Sequence, residues 1–229
     1  MSTKSGAETL ESMSQAVWYN QWTLKKFQQF LNGEILEVGC GIGNFTKTLA
    51  KFGNVTAIDI NEEYIKKVKN KLDDKVKIGY GNIETGKYFF NKGGFDCIVC
   101  INVLEHIKDD QTALTNMYKL LKKDGYLILL VPAFDFLYGE IDKSIGHFRR
   151  YNREDLHGML NVTGLKIIKS RFINFLGGLG WWISAKILSN NKVDESKIKI
   201  FNFVAPFVLP LEDLVEPPLG TSILVIAQR

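Results

Sequence analysis

The strongest constraint on this chain is the alternation of short apolar runs with segments of helical spacing. Ile35–Val38, Asn54–Ile60, Lys75–Tyr80, Phe95–Ile101 and Tyr126–Pro132 read as strands. Phe45–Phe52, Asn61–Leu72 and Asp109–Gly125 read as helices between them, with Asn61 placed to cap the second and Gly125 to end the third. Phe95–Ile101 is almost continuously apolar, which suits a strand covered on both faces. Strands alternating with helices imply parallel crossovers and a doubly wound, Rossmann-like α/β sheet. Two later runs, Leu165–Ile173 and Thr221–Arg229, raise the expected strand count to seven, and Asn152–Gly164 reads as the helix before them. In such sheets ligands sit at the carboxyl ends of the strands, near the switch point. Glu37 to Asn44, Asp59, Asn82 and Asn102 all lie at or just after strand ends, so they should converge on one crevice.

The 229 residues, 45% hydrophobic and 24% charged, suit one buried domain over 1–229. Within it, 1–32 is an aromatic helical segment, 33–132 the cofactor-binding core, and 133–229 the acceptor-side loop, last strands and apolar cover. A net charge of +4 spread over solvated helix faces argues against a nucleic-acid partner. Three cysteines fit a reducing compartment better than a disulfide framework. Cys97 and Cys100 lie three apart on one strand, face opposite ways, and cannot share a metal. Phe172–Leu188 is apolar but interrupted by Asn174, glycines and Lys186, and falls short of the ~20 residues a membrane span needs. A cytoplasmic protein is expected, with peripheral membrane contact left open and the oligomeric state undetermined.

Glu34–Phe45, EILEVGCGIGNF, places glycines at 39, 41 and 43 after an apolar run. A dinucleotide fingerprint from Gly39 requires glycine at 44, where this chain has Asn44, and the Lys-Ser/Thr pair of a P-loop is missing. Glu37 at the strand end would repel a pyrophosphate but attract an ammonium or sulfonium. Asp59, ending the next strand, can accept both hydroxyls of a ribose, and Ile60 can pack on an adenine. Asn82 can meet the adenine amino group and the Ile83 backbone a ring nitrogen. These features together describe S-adenosylmethionine, and Asn44 and Glu37 both disfavour a nicotinamide dinucleotide.

ILEVGCGIGNFT, VTAIDI, GNIE, FDCIVCINVLEHIKD and LLKKDGYLILLVP, in that order, resemble the successive motifs of class I S-adenosylmethionine-dependent methyltransferases. The resemblance covers about Gly33 to Pro132 and implies a sheet whose last strand is antiparallel. It also implies that Gly39, Cys40, Gly41, Gly43 and Asn44 surround the cofactor and that Asn102 lies beside its methionine part. S-adenosylhomocysteine would be the product. The similar ubiquinone-pathway O-methyltransferases carry Glu-x-x-Glu-His after the fourth strand, able to hold a divalent metal. This chain reads Asn102-x-x-Glu105-His106 there, so no metal is expected. DKSIGHFRRYNREDL, Asp142–Leu156, resembles a bacterial and archaeal methyltransferase subgroup with a Gly-His-x-Arg-Arg-Tyr stretch.

Methyl transfer to a hydroxyl needs proton removal, commonly by histidine. His147 and His106 are the candidate bases and Asp142 the orienting partner. Arg149, Arg150 and Tyr151 are candidate contacts to a small, anionic acceptor, the alternative being a network in which Asp142 pins the loop through an arginine. His157, within a helix, reads as packing or surface. Tyr19, on the aromatic N-terminal helix, is a candidate cofactor contact, with plain packing as the other reading. The apolar segment 172–211 packs as a lid or receives an apolar, lipid-linked acceptor at a membrane. Sugars, glycolipid precursors and quinone-like rings are the acceptor classes considered. A module that binds the cofactor without catalysis is the alternative function.

Overall fold

The computed structural model describes residue 11 and residues 16–70, 76–91, 93–175 and 203–229. The Gly- and Trp-rich part of the apolar segment, 176–202, lies outside these residues. One sheet runs in the order β4-β3-β2-β1-β5-β6-β8-β7. Its strands are β1 (Glu34–Val38), β2 (Asn54–Asp59), β3 (Val76–Asn82), β4 (Lys87–Tyr88), β5 (Phe95–Ile101), β6 (Leu121–Pro132), β7 (Lys166–Ile173) and β8 (Ser222–Gln228). The pairs β1·β2, β1·β5, β2·β3 and β5·β6 are parallel. Strand β8 is antiparallel to both β6 and β7.

The sheet has eight strands, one more than the sequence suggested. The extra strand, β4, pairs antiparallel with β3 through Gly81–Tyr88 and Asn82–Lys87. Its cause is local: the Asn82 Oδ1 accepts from the backbone N–H groups of Glu84 (2.9 Å) and Thr85 (3.1 Å), and Gly86 turns the chain at φ +72°. Two residues carry no readable period, so nothing in the pattern announced them. The third central helix also ends early. It spans Asp110–Leu120 (α4), and Leu121 already pairs with Phe95. Gly125 therefore sits within β6, where a side chain would meet backbone carbonyls of Lys122, Phe95 and Asp96.

Other helices among the described residues include α1 (Val17–Lys25), α2 (Thr46–Leu49), α3 (Glu62–Lys69), α5 (Glu140–Ile145), α6 (Arg153–Thr163) and α7 (Leu211–Leu214). Asn61 caps α3 through N–H bonds from Glu63 and Tyr64, and Asp109 caps α4 through Thr112. The two sheet faces bury separate cores. Leu114 and Met117 of α4 and Leu156 and Leu160 of α6 cover one face together with Cys100. Trp22 and Leu24 of α1, with Phe27 and Leu49, cover the other together with Cys97. The two cysteines thus point to opposite sides, as strand geometry requires.

Leu114 is fully buried at the centre of the first core, whereas Val162 on α6 is 80% exposed. Leu114→Ala should cost about 2–5 kcal/mol in urea unfolding. Val162→Ala should stay within about 0.5 kcal/mol.

Candidate functional site

The carboxyl ends of β1, β2, β3 and β5 supply one half of the site. After β1 the chain turns through Gly39 (φ +71°), Gly41 (φ +53°) and Gly43 (φ +88°). A Cβ on Gly39 would lie 2.4 Å from Val103 Cγ2, so glycine there allows the loop to close on the turn after β5. The Gly39 and Cys40 N–H groups donate to the Ile58 carbonyl, and the Gly41 N–H donates to Asp59 Oδ2 at 2.8 Å. Asp59 Oδ1 accepts from the Asn61 N–H at 2.8 Å, and the Ile60 backbone N–H also bonds the carboxylate. Burial raises its carboxyl pKa against those backbone bonds. Ile60, next in the chain, is an apolar side chain left 58% exposed at the strand end.

Glu37 is 5% exposed and its Oε2 has no hydrogen-bond partner. Burial pushes its pKa up to about 8; the Thr46 hydroxyl opposes the shift and the Asp59 charge adds to it. An orphaned buried carboxylate beside a bare glycine loop fits a ligand that brings a cation on a short backbone-like stem. Asn102 follows β5 in the left-handed region at φ +52°. Asn82 spends its carbonyl oxygen on the turn before β4, and Ile83 is buried with its carbonyl bound by Asn116. Cys40 is buried, and burial drives its thiol pKa far up.

Helix α1 meets the glycine loop by a different face from the one expected. Val17, Asn20 and Leu24 line a small cleft with Asn44, Phe45 and Thr48. Tyr19 is turned instead into the second core, its ring 5.9 Å from that of Trp22, and burial pushes its pKa up to about 12.

The other half of the site is built where the stretch 146–151 crosses the turn Leu104–His106. The Phe148 N–H donates to the Glu105 carbonyl at 2.8 Å, and His106 Nδ1 lies 3.1 Å from the Gly146 carbonyl. The rings of His106 and His147 meet edge to face, 4.6 Å between centroids. Asp142, 1% exposed, binds His147 Nδ1 and Arg150 Nε at 2.9 Å each and accepts the Gly139 N–H at 3.0 Å. Burial alone would raise its pKa; His147 and Arg150 outweigh it and hold the carboxyl below the usual range. On the far side of His147, Nε2 lies 3.8 Å from Glu105 Oε1. Glu105 is 1% exposed with Oε2 unpartnered, and burial raises its pKa to about 7, with His147 pulling the other way. Desolvation and the neighbouring His147 lower the His106 pKa, although one edge of that ring meets solvent.

Three expected acceptor contacts are engaged elsewhere. Arg150 is held by Asp142, and the Arg149 guanidinium binds Asp110 at 2.5 Å and the Lys108 carbonyl at 2.8 Å. Tyr151, 3% exposed, donates its hydroxyl to Asp110 at 3.0 Å. These bonds are those of a network that pins the loop. His157 pairs with Ser170 through Nε2 at 2.8 Å. Glu105 was not among the candidates. Its signal was an acid beside a histidine directly after a strand, overlooked because the acid expected three residues earlier is Asn102.

Residues 36–129 match the family described as a methyltransferase domain. The chain is 30% identical over 162 residues to a ubiquinone biosynthesis O-methyltransferase of Colwellia psychrerythraea, covering 64% of this chain and 66% of that relative, just under two thirds. It is 29% identical over 192 residues to an uncharacterised protein of Methanocaldococcus jannaschii, covering 81% and 80%. Its fold superposes with TM-score 0.63 on a SAM dependent methyltransferase from Archaeoglobus fulgidus, at 17% identity, covering 93% and 94%.

The folded Glu37 carboxyl keeps its proton to about pH 8, well above the ordinary 4.5, so its contribution to stability is lost as pH rises through that window. Glu37→Gln should melt close to wild type near pH 5 and progressively higher than wild type toward pH 8.5. Thermal denaturation of the pair across that range checks the divergence.

Proposed function

We propose that this chain is a class I S-adenosylmethionine-dependent methyltransferase, a reading supported by the methyltransferase-domain match over residues 36–129 and the methyltransferase-like fold, and that it methylates a hydroxyl of a small acceptor, of the sugar, glycolipid-precursor or quinone-like kind. The cofactor supplies, when bound, a methyl group activated on a sulfonium and leaves as S-adenosylhomocysteine. Glu37 and the Gly39–Gly43 main chain would hold its amino-acid end, Asp59 its ribose, and Ile60 and the Ile83 backbone its adenine; Asn82, whose Oδ1 is spent on the turn, would offer a ring nitrogen its side-chain N–H and not accept from the amino group. Asn102, fixed in its left-handed turn, would lie between that end and the acceptor.

The single observation carrying the hydroxyl reading is the clamp on His147. Asp142 holds Nδ1 at 2.9 Å and so leaves Nε2 as the lone-pair nitrogen. In this reading Nε2 takes the acceptor proton as the O–C bond forms, and Asp142 steadies the resulting imidazolium. His106, edge-on to that ring, is the second candidate. The relative named for ubiquinone biosynthesis favours a ring hydroxyl among the acceptor classes.

A lipid-linked acceptor is a second reading. It is favoured by Phe203 and Phe207, at the end of the 172–211 segment, and by Leu214 just after it, which are 75%, 73% and 81% exposed. Among the described residues no helix is long and apolar enough to cross a membrane, so such contact would be peripheral. A cytoplasmic location fits both readings.

A screen of these acceptor classes with methyl-labelled cofactor, with mass analysis of the product, tests the assignment. His106→Gln/His147→Gln should lower turnover on the hit by about 10²-fold or more while cofactor affinity stays within a few-fold. Cofactor binding without transfer to any acceptor would instead indicate a non-catalytic binding module.

A further inference from the structure

We infer that Glu105 is a positioning residue for methyl transfer that acts through His147: a buried carboxylate, set beside Nε2, that gains a counter-charge only when that nitrogen takes up the acceptor proton. This role for Glu105 rests on the hydroxyl-methylation reading above and adds to it the group that makes His147 a stronger base.

Glu105 stands in the turn after β5 and is 1% exposed. Its Oε1 lies 3.8 Å from His147 Nε2, and its Oε2 has no hydrogen-bond partner. A buried carboxylate normally has its oxygens occupied, because burial strips its water and an empty oxygen gets nothing in return. A neutral His147 does not fill the gap. Its Nδ1 donates to Asp142 at 2.9 Å, so Nε2 carries a lone pair. An acceptor nitrogen and an acceptor oxygen then stand 3.8 Å apart with no hydrogen between them.

Proton uptake reverses this. The acceptor oxygen attacks the methyl carbon and a C–O bond forms. The sulfonium C–S bond breaks, its electron pair stays on sulfur, and the O–H proton passes to Nε2. The ring becomes an imidazolium with a carboxylate on each side, Asp142 at Nδ1 and Glu105 at Nε2. An attraction that appears only as the proton moves lowers the barrier and does not merely tighten binding. Burial strengthens it, since little solvent screens the two charges.

The other groups around the pair leave this attraction in place. Asp142 and Arg150, which both face His147, pair with each other at 2.9 Å. His106 meets the His147 ring edge to face. Cys100 on β5 and the Tyr151 hydroxyl lie within electrostatic reach of Glu105, and burial holds both in their neutral forms. Burial also raises the Glu105 pKa to about 7, against the pull of His147 and Arg150, so its charge acts on the alkaline side of that value.

In the full-length protein with isotope-labelled histidine, the His147 ring can be titrated by NMR with no acceptor present. Glu105→Gln, and Glu105→Leu as a second uncharged variant, should move the His147 midpoint to lower pH by about one unit or more, as loss of an opposite charge at this range requires. His157, on α6, should titrate as in wild type, and circular dichroism shows that each variant is folded. On the acceptor found by the screen above, both variants should lose at least ~10-fold in kcat with KM within about threefold, and the acid limb of kcat should move down with the NMR midpoint. A His147 midpoint unmoved in the folded variants overturns the role of Glu105, as does unchanged kcat in a variant whose midpoint has moved. In both cases loss of turnover in His106→Gln/His147→Gln leaves the proton-transfer reading standing. Turnover retained by that double variant removes the reading, and the role of Glu105 with it.

Discussion

Strand β1 pairs in parallel with β2 on one side and β5 on the other, and the arrangement of the molecule depends on that position. From β1 the chain builds outward to β3 in one direction and then returns to build β5 and β6 in the other. The loops leaving β1 and β5 therefore diverge to opposite faces and open a crevice between them. Glu37, Asp59 and Asn102, at or just after the ends of β1, β2 and β5, stand around that opening. The tight approach of Gly39 to Val103 is the direct contact between the two loops. A side chain at 39 would force them apart.

A second constraint sits across the crevice. Asp142 is an anion with almost no solvent access, and three donors compensate it: a histidine, an arginine and a backbone N–H. Removing any one would leave a buried charge short of partners, which is far costlier than losing an exposed pair. The same carboxylate thus anchors Arg150 as a strut and fixes the orientation of the His147 ring. The density of charged residues in DKSIGHFRRY is explained largely by this anchoring and by the Asp110 contacts of Arg149 and Tyr151.

Much of the fold could be read from the sequence because it rests on local periods. Phe95–Ile101 is delimited to the residue by its nearly continuous apolar run, and Asn61 announces its helix by its own side chain. The failures have equally local causes. Strand β4 is too short to have a period. The Leu120–Leu121 boundary lies inside one lysine- and leucine-rich stretch where helix and strand patterns look alike. On the cofactor side, each residue belongs to a strand end and could be placed from the order of elements alone. The proximity of His147 to Glu105 and His106 could not, because it joins two loops about forty residues apart in the chain that share no spacing pattern. Only the tertiary course of the chain past α5 brings them together. Tyr19 failed for a simpler reason: one aromatic on a helix crowded with aromatics does not say which face it occupies.

The last strand to appear in the chain, β8, is threaded between β6 and β7. Every ladder bond that joins β7 to the sheet passes through it. In this sheet β7 has no ladder partner other than β8, so β8 is the keystone that ties that flank to β6. Agents that pry out β8 should release that flank first and leave the parallel pairs standing.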